Sequence, residues 1–526
     1  MVEQWDTIIV GAGVGGLTAA AELVKAGLRV LVLDRNPHPG GTAYVYKRKG
    51  FAFPMGPLGF SNQALVADKL KDIGDHAEFK LDRIHYQIKA FDLNIPISLP
   101  FPEMIELLSS LFPFDDQGIQ QFFQAVESIP PVSFKASFNQ FVPKPADMIP
   151  ASDYLDHLVK DWRLRRILGS LGTGKAHSNL SLLAAMWILM CKEGIWNPVG
   201  STKSLCDRLA ERITGISSST GTSGRTSGMR SRQKGLGEIR LDQEVSEIRV
   251  RRGGVLGVRL RDGMEINSVA VISNADYKTT FNNLVNKKEV PDQLYQAVQR
   301  AKQTGSVFQV CLGVDVDKVD LALFKKAQII IYKRNQKKSE QDLPVDWTVP
   351  FIDPEIFAQQ ELEISLWNQD NRSLVPERGA SIVIRTGAEH DHFLRFRPAW
   401  NKRSSDYFQY KMQLGRSLLR ETEKLLPGLE QSTVVMDMAT PLTFEEQGGR
   451  SKGSVAGWSW DYGDDRDLRP RELVRTPIKG LYMAGYQAFS QLFMGGVPSA
   501  LESGKRAAEA VLENAGPIVE ILIPGR

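Results

Sequence analysis

The stretch Asp6-Thr-Ile-Ile-Val10-Gly11-Ala12-Gly13-Val14-Gly15-Gly16, running on to Arg29-Val-Leu-Val-Leu33-Asp34, constrains this chain more than any other. Four apolar or β-branched residues, Thr7–Val10, read as a buried strand. Gly11, Gly13 and Gly16 form a G-x-G-x-x-G turn, and the helix after it places Leu17, Ala20, Ala21 and Val24 at one-face spacing. A second apolar strand then ends in Asp34. Each part has a physical reason. Gly11 makes the tight turn, Gly13 lets backbone touch a pyrophosphate, and Gly16 lets the helix lie close on the sheet. The helix N-terminus, with Ala12 and Gly15 beside it, offers free N–H groups to phosphate, and Asp34 accepts from ribose hydroxyls. The order strand–turn–helix–strand–acid predicts a dinucleotide site; the bland alternative is a glycine-rich turn with no ligand.

The next segment narrows the ligand. It reads Asp34-Arg35-Asn-Pro-His-Pro-Gly40-Gly41-Thr42-Ala43, then Gly50-Phe-Ala-Phe53-Pro-Met-Gly56-Pro57. This resembles the second half of the FAD fingerprint of amine oxidases and phytoene desaturases. The resemblance implies FAD, with Gly40 and Gly41 beside the phosphates, Arg35 and Thr42 next to them, and Gly56 passing near the isoalloxazine. Further on, 241–248, 255–260 and 264–272 read as a small antiparallel meander. In FAD enzymes of this type the residue at Val245 presents backbone groups to the adenine; one valine in a β-rich stretch is otherwise simply core.

Near the other end, Thr476-Pro-Ile-Lys-Gly-Leu481-Tyr-Met-Ala-Gly485 precedes Met494-Gly-Gly496-Val497-Pro498. A helix follows with Ala500, Gly504, Ala507, Ala508 and Val511 on one face. A strand ending at Gly485 and a helix starting at Gly496-Val497 can aim N–H groups at the reactive end of a flavin. Together the two ends resemble the phytoene desaturase, carotenoid isomerase and retinol saturase family of FAD enzymes. Ser152–Asp156, Trp196–Gly200, Leu426–Gly428 and Thr440–Thr443 match in order, so the likeness runs through most of the chain. It implies an α/β fold: a Rossmann-type FAD-binding domain assembled from discontinuous segments, plus an α+β substrate-binding domain with a helical cap.

Three positions depart from the family pattern. Desaturases usually carry Arg after Gly-Gly, where this chain has Thr42, closer to the carotenoid isomerases and saturases with a small polar residue there. Many members have Asp after the late Ala-Gly, where Tyr486 and Gln487 stand here. The acid of the early Phe-Asp-x-Gly-Pro element is replaced by Pro54. Gln487 could take over the ribityl contact through its amide. No acid or base is assignable, so the flavin itself is the expected reactive group, with Tyr486 and Gln487 as neighbours; core packing is their alternative.

With 526 residues, 42% of them hydrophobic, the chain can bury a large core and form two or three domains. The expected partition is an FAD-binding domain from 1–65, 195–285 and 470–515, a helical cap over 66–194, and a substrate domain over 286–469. Strands are expected at 306–316 and 381–385. The 65 basic residues nearly balance 61 acidic ones, for a net charge of +4, which excludes a strongly basic nucleic-acid binder. Residues 216–235 read as a flexible basic insertion, either solvated or touching a membrane or partner. Phe101, Phe112, Phe114, Phe122, Phe123, Phe134, Phe138 and Phe141 crowd the cap; they form either a greasy substrate or membrane face or an ordinary helical core.

Three cysteines (Cys191, Cys206 and Cys311) show no metal or redox spacing. Gly169–Ala176 imitates a P-loop but lacks the hydroxyl for magnesium, and His390-Asp391-His392 reads as a surface turn; no metal is expected. No secretory leader precedes the first strand and the longest apolar run, 182–191, is too short for a span. The expected location is cytoplasmic, soluble or peripheral to a membrane.

Three functions remain open. The first is an FAD enzyme that desaturates, saturates or isomerises a carotenoid-like or other isoprenoid lipid. The second is an FAD oxidase of another substrate, such as an amine. The third is a non-catalytic prenyl-lipid-binding relative of the escort or GDP-dissociation-inhibitor type. Electron acceptor and oligomeric state are not legible.

Overall fold

The computed structural model describes residues 3–129, 149–171, 177–215, 237–333, 345–367, 372–460, 472–489 and 496–522. The basic insertion, Phe134, Phe138, Phe141, the end of the P-loop-like segment, Met494 and Gly495 lie outside them.

Strand β1 (Glu3–Val10) runs parallel between β2 (Val30–Leu33) and Glu265–Ser273, with Thr7 opposite both Val30 and Ala270. Strand alternation then divides the apolar residues. Ile9, Val30 and Val32 face one core with helix α1 (Val14–Lys25), while Ile8, Val10, Leu31 and Leu33 face another with Val245, Ile248 and Val258. Gly237–Arg240 adds a parallel strand beside β2. Glu265–Ser273 is shared on its far edge: its first half pairs antiparallel with the meander strand Gly254–Leu260, and its last residues pair parallel with Leu481–Met483. The sheet thus gathers seven strands from both ends of the chain.

Helix α1 is buried on most sides, more than an amphipathic helix on a sheet would be. The cause is two further helices, Thr202–Thr214 and Val497–Leu522, that flank it through small or apolar residues such as Cys206, Leu209, Ala507 and Ala508.

A second seven-stranded sheet runs in the order Thr433–Ala439, Ser306–Asp315, Gly379–Ala388, Leu362–Trp367, Ile329–Lys333, Tyr86–Ala90, Leu93–Pro96. Both strands expected here, 306–316 and 381–385, are present and pair antiparallel. The last two come from within 66–194; Tyr86, Ile88 and Ile95 alternate with polar residues, and that period of two makes them strands among helices. One face of the sheet packs Phe308, Val310 and Ile384 on the helix Tyr407–Glu423; the other packs Cys311, Ile331 and Val383 on the cap. In the cap, Phe101, Phe112, Phe122 and Phe123 are core residues, with Phe122 and Phe123 set edge-on to Trp187 at 6.0 and 5.4 Å. Among the described phenylalanines of this group, Phe114, 95% exposed, is the outward one. No helix among the described residues is long and apolar enough to cross a membrane.

The hairpin Val45–Arg48 and Phe51–Pro54 ties the sheets together. Ser381 Oγ donates to the Ala52 carbonyl at 2.9 Å, Gln309 Nε2 to the Pro54 carbonyl at 3.2 Å, and Arg385 to the Gly56 carbonyl.

Candidate functional site

Between the carboxyl ends of β1 and β2 and the second sheet lies a cavity of about 610 Å³. Its walls contain Gly11, Gly13, Gly15, Asp34, Arg35, Gly40, Gly41, Thr42, Gly56, Val245, Gly485, Tyr486, Gly496 and Val497. The structure therefore brings together, on one surface, residues from positions 11 to 497.

Glycine is demanded at the junction of these segments. A Cβ on Gly16 would stand 2.2 Å from the Gly11 carbonyl oxygen, and one on Gly15 would stand 2.7 Å from Gly485 N and from Asn274 Oδ1. Gly40, at φ 111°, donates its N–H to the Ala12 carbonyl at 2.7 Å and so lays the Gly-Gly turn against the start of α1. Gly16 and Ala12 lie behind the wall rather than in it. Gly16 supports close packing, and Ala12 donates its N–H to Asp34 Oδ2 at 2.7 Å.

Asp34 is buried, and its other oxygen accepts from Asn36 N–H at 2.8 Å. Burial raises its carboxyl above the usual range, opposed by those two N–H groups. Two carboxylate oxygens offer about four acceptor positions, so capacity remains toward the cavity. Gln243 N–H donates to the Asp34 carbonyl at 2.8 Å, which sets Val245 at the same end of the cavity.

At the other end, Tyr486 Oη donates to Asp276 Oδ2 at 3.0 Å, and burial pushes its phenol pKa up, with Asp276 adding to the shift. Arg450 stacks over the Tyr486 ring at 4.5 Å and donates from Nη2 to Thr42 Oγ1 at 2.7 Å. Gln487 does not reach the cavity. It lies in the turn closed by Ala488 N–H donating to the Gly485 carbonyl at 3.2 Å; its Oε1 accepts from Tyr277 N–H at 2.8 Å, and its buried Nε2 has no partner among the described residues. Of the two neighbours expected at the flavin, Tyr486 lines the cavity and Gln487 does not.

Asn274, Asp276, Arg385 and Arg450 line the cavity and were not singled out by sequence. A signal existed for the first two: they follow the strand Glu265–Ser273, at the carboxyl edge where open α/β sheets bind ligands. Arg450 sits in a loop with no motif. The His390-Asp391-His392 segment also needs correction, because it opens a short helix and buries both imidazoles. His390 bonds Glu445 at 2.9 Å and His392 bonds Tyr410 Oη at 2.8 Å. All three cysteines are free and buried.

A dinucleotide fits this wall. Helix α1 starts at Gly13 with no capping side chain, leaving first-turn N–H groups without a side-chain acceptor. The buried Asn274 Oδ1 has no hydrogen-bond partner among the described residues.

The family model for flavin containing amine oxidoreductase matches residues 14–354. The chain belongs to that family. As a flavin oxidoreductase it is similar to the chloroplastic prolycopene isomerase of Daucus carota, 27% identical over 551 residues that span 98% of this chain and 82% of that protein. It is also similar to the lycopene-forming phytoene desaturase of Pseudescherichia vulneris, 23% identical across 97% of this chain and 99% of that one. Among solved structures, an oxidoreductase from Methanosarcina mazei shares the fold with a TM-score of 0.62 at 15% identity, over 96% of this chain and 99% of that chain.

Proposed function

We propose that this flavin oxidoreductase binds FAD and acts on a carbon–carbon bond of a long apolar polyene or related isoprenoid lipid. The observation that carries the reading is the continuity of the cavity, which runs from Asp34 and Val245 past the glycine turns to Pro57, Val307 and Phe444 beside the second sheet. The N–H-rich glycine turns suit a dinucleotide, and Pro57, Val307, Trp400 and Phe444, set among Arg385 and Glu445, offer apolar surface to a greasy substrate. The prolycopene isomerase and phytoene desaturase relatives support the substrate class.

A bound flavin supplies hydride acceptance and return, which leaves the chain little covalent chemistry to perform. The Gly11–Gly16 turn and Gly40-Gly41 hold the diphosphate, and Asp34 takes the ribose hydroxyls. Val307, Phe444 and Pro57 hold the alkene and exclude water. Tyr486 keeps its proton on Oη and acts as a hydrogen-bond donor at the wall rather than as a base. Glu445, the cavity carboxylate set beside that apolar surface, is already tied to His390 and Arg397.

The purified protein should show flavin bands near about 375 and 450 nm; their absence after reconstitution with FAD would sink the reading. Anaerobic incubation with a panel of polyenes, followed by product mass, then separates the reactions. A change of two hydrogens means desaturation or saturation, and an unchanged mass with altered retention means isomerisation. Turnover of amines but of no polyene would transfer the proposal to the amine oxidases.

A further inference from the structure

Arg450 and Arg35 are the cations of this cavity wall that have no carboxylate partner among the described residues; Arg35 donates to the Glu446 carbonyl at 2.6 Å. Two other arginines of the wall are paired, Arg261 with Glu244 and Arg385 with Glu363 at 3.7 Å. Arg450 makes no such pair among the described residues. Its guanidinium is held instead by neutral groups: the carbonyls of Ser454 at 3.2 Å and Val455 at 2.5 Å, Thr42 Oγ1 at 2.7 Å, and the ring of Tyr486. Asp276 attracts Arg450 and Arg385 repels it, neither in an ion pair with it; the Asp276 oxygens accept from Tyr486, Gln303, Ser451 and the N–H groups of Lys278 and Thr279.

Both supports of Arg450 are anchored at the start of α1. Thr42 follows Gly41, whose Cβ position lies 3.3 Å from Gly13 Cα, and Tyr486 follows Gly485, which abuts Gly15. A cation fixed beside the positive end of a helix is repelled unless an anion lies between them. Desaturases of the family this chain resembles usually carry arginine after Gly-Gly, whereas isomerases and saturases have a small polar residue there; here that position holds Thr42, to which Arg450 donates.

Resting on the FAD reading above, we infer that Arg450 supplies a cation that contacts the cofactor's diphosphate. It reaches from the loop after Pro441–Gly448 to the place where desaturases have the arginine at position 42. Thr42 is then the positioning residue, its hydroxyl accepting from Nη2 while the remaining guanidinium N–H groups on that side face the phosphates.

The test measures the dissociation constant of FAD for apoprotein by titration, alongside the midpoint potential of the bound flavin. Arg450→Gln keeps donors for Thr42 and removes the charge. It should weaken FAD by about ten- to hundredfold, the range of a charge-assisted hydrogen bond, with little change in potential. Adding Thr42→Arg to that variant should restore affinity to within about threefold of the parent. A folded Arg450→Gln protein with unchanged affinity overturns the inference. So does an unchanged affinity with a lowered potential, which places the charge at the ring, or a loss that Thr42→Arg does not repair. If Arg450→Gln fails to fold, Arg450→Lys carries the test: it should keep affinity within about tenfold, and a greater loss overturns the inference. Failure of the unsubstituted protein to take up FAD is a different result and defeats the parent reading.

Discussion

The carbonyl oxygen of Gly15 lies 2.3 Å from the position a Cβ on Gly504 would occupy. The same Cβ would meet Thr18 Cβ at 2.8 Å and Ala19 N at 3.1 Å, so the obstacle is mostly helix backbone that cannot swing aside. This contact locks the helix Val497–Leu522 onto α1 and, through Gly15, onto the glycine turn.

Gly504→Ala should therefore cost about 1–3 kcal/mol by overpacking and also weaken flavin retention, because relief requires α1 to shift. Thermal unfolding with flavin content measured on the same preparation checks this. A variant that keeps both the parent's melting temperature and its flavin would show that the helices can separate freely.

Asp34 makes a second prediction. Asp34→Asn preserves volume but turns one acceptor into a donor that faces the N–H of Ala12 or Asn36. A buried donor left against a donor costs about 1–3 kcal/mol, so FAD affinity should fall about tenfold or more, and apoprotein stability should fall as well. Equilibrium titration with FAD and urea unfolding of apoprotein measure the two losses separately. Retention of full affinity would remove Asp34 from the site.

The legible part of this site was the part written contiguously. Gly11 to Asp34 is one βαβ unit whose glycines, helix start and acid each answer a local demand, so spacing alone announces it. Gly485 and Val497 were legible because strand-then-glycine-then-helix has the same logic. Arg450 and Asn274 were not, because their roles depend on which remote loop comes to rest beside α1. Gln487 misled for a related reason. A polar residue next to a cavity-lining one was expected to share the cavity, but in the turn at 485–488 its Oε1 accepts from Tyr277 N–H instead. The cap was only half legible, since phenylalanines at helical spacing do not distinguish a substrate face from a core; the packing of Phe122 and Phe123 on Trp187 decides for core at those positions.

The His390–Glu445 contact should make stability depend on pH in a defined sense. At His390 burial opposes the charge but is outweighed by hydrogen bonds to Glu445 and Asp391, so its pKa is raised above 6.5. At Glu445 burial is likewise outweighed, chiefly by His390 and Arg397, and its pKa falls to about 2. The raised imidazole contributes stability that is present below its unfolded pKa and is lost as pH rises through the folded one. The depressed carboxyl contributes above its unfolded pKa of 4.5 and is lost as pH falls toward about 2. The pair thus contributes fully between about pH 4.5 and 6.5. Thermal unfolding from pH 5 to pH 9 should show a decline on the alkaline side that His390→Gln flattens. An identical decline in that variant would assign the dependence to other groups.

Lys333 and Glu361 make the last prediction. Both are fully buried, Lys333 Nζ donates to Glu361 Oε1 at 2.6 Å, and Arg166 adds a second cation 3.6 Å away. Burial pulls the lysine pKa down while Glu361 holds the charge in place. A buried pair of this kind is costly to break from one side and cheap to replace from both. Lys333→Met should destabilise by about 3–5 kcal/mol, since among the described residues the Glu361 carboxylate is then left with Arg166 and Ser170. The double variant Lys333→Met/Glu361→Gln should recover most of that loss, because no unpaired carboxylate remains. Urea unfolding of the two single variants and the double, closed as a cycle, measures the coupling. Additive losses would show that Lys333 and Glu361 contribute through packing, and that Arg166 alone satisfies the carboxylate.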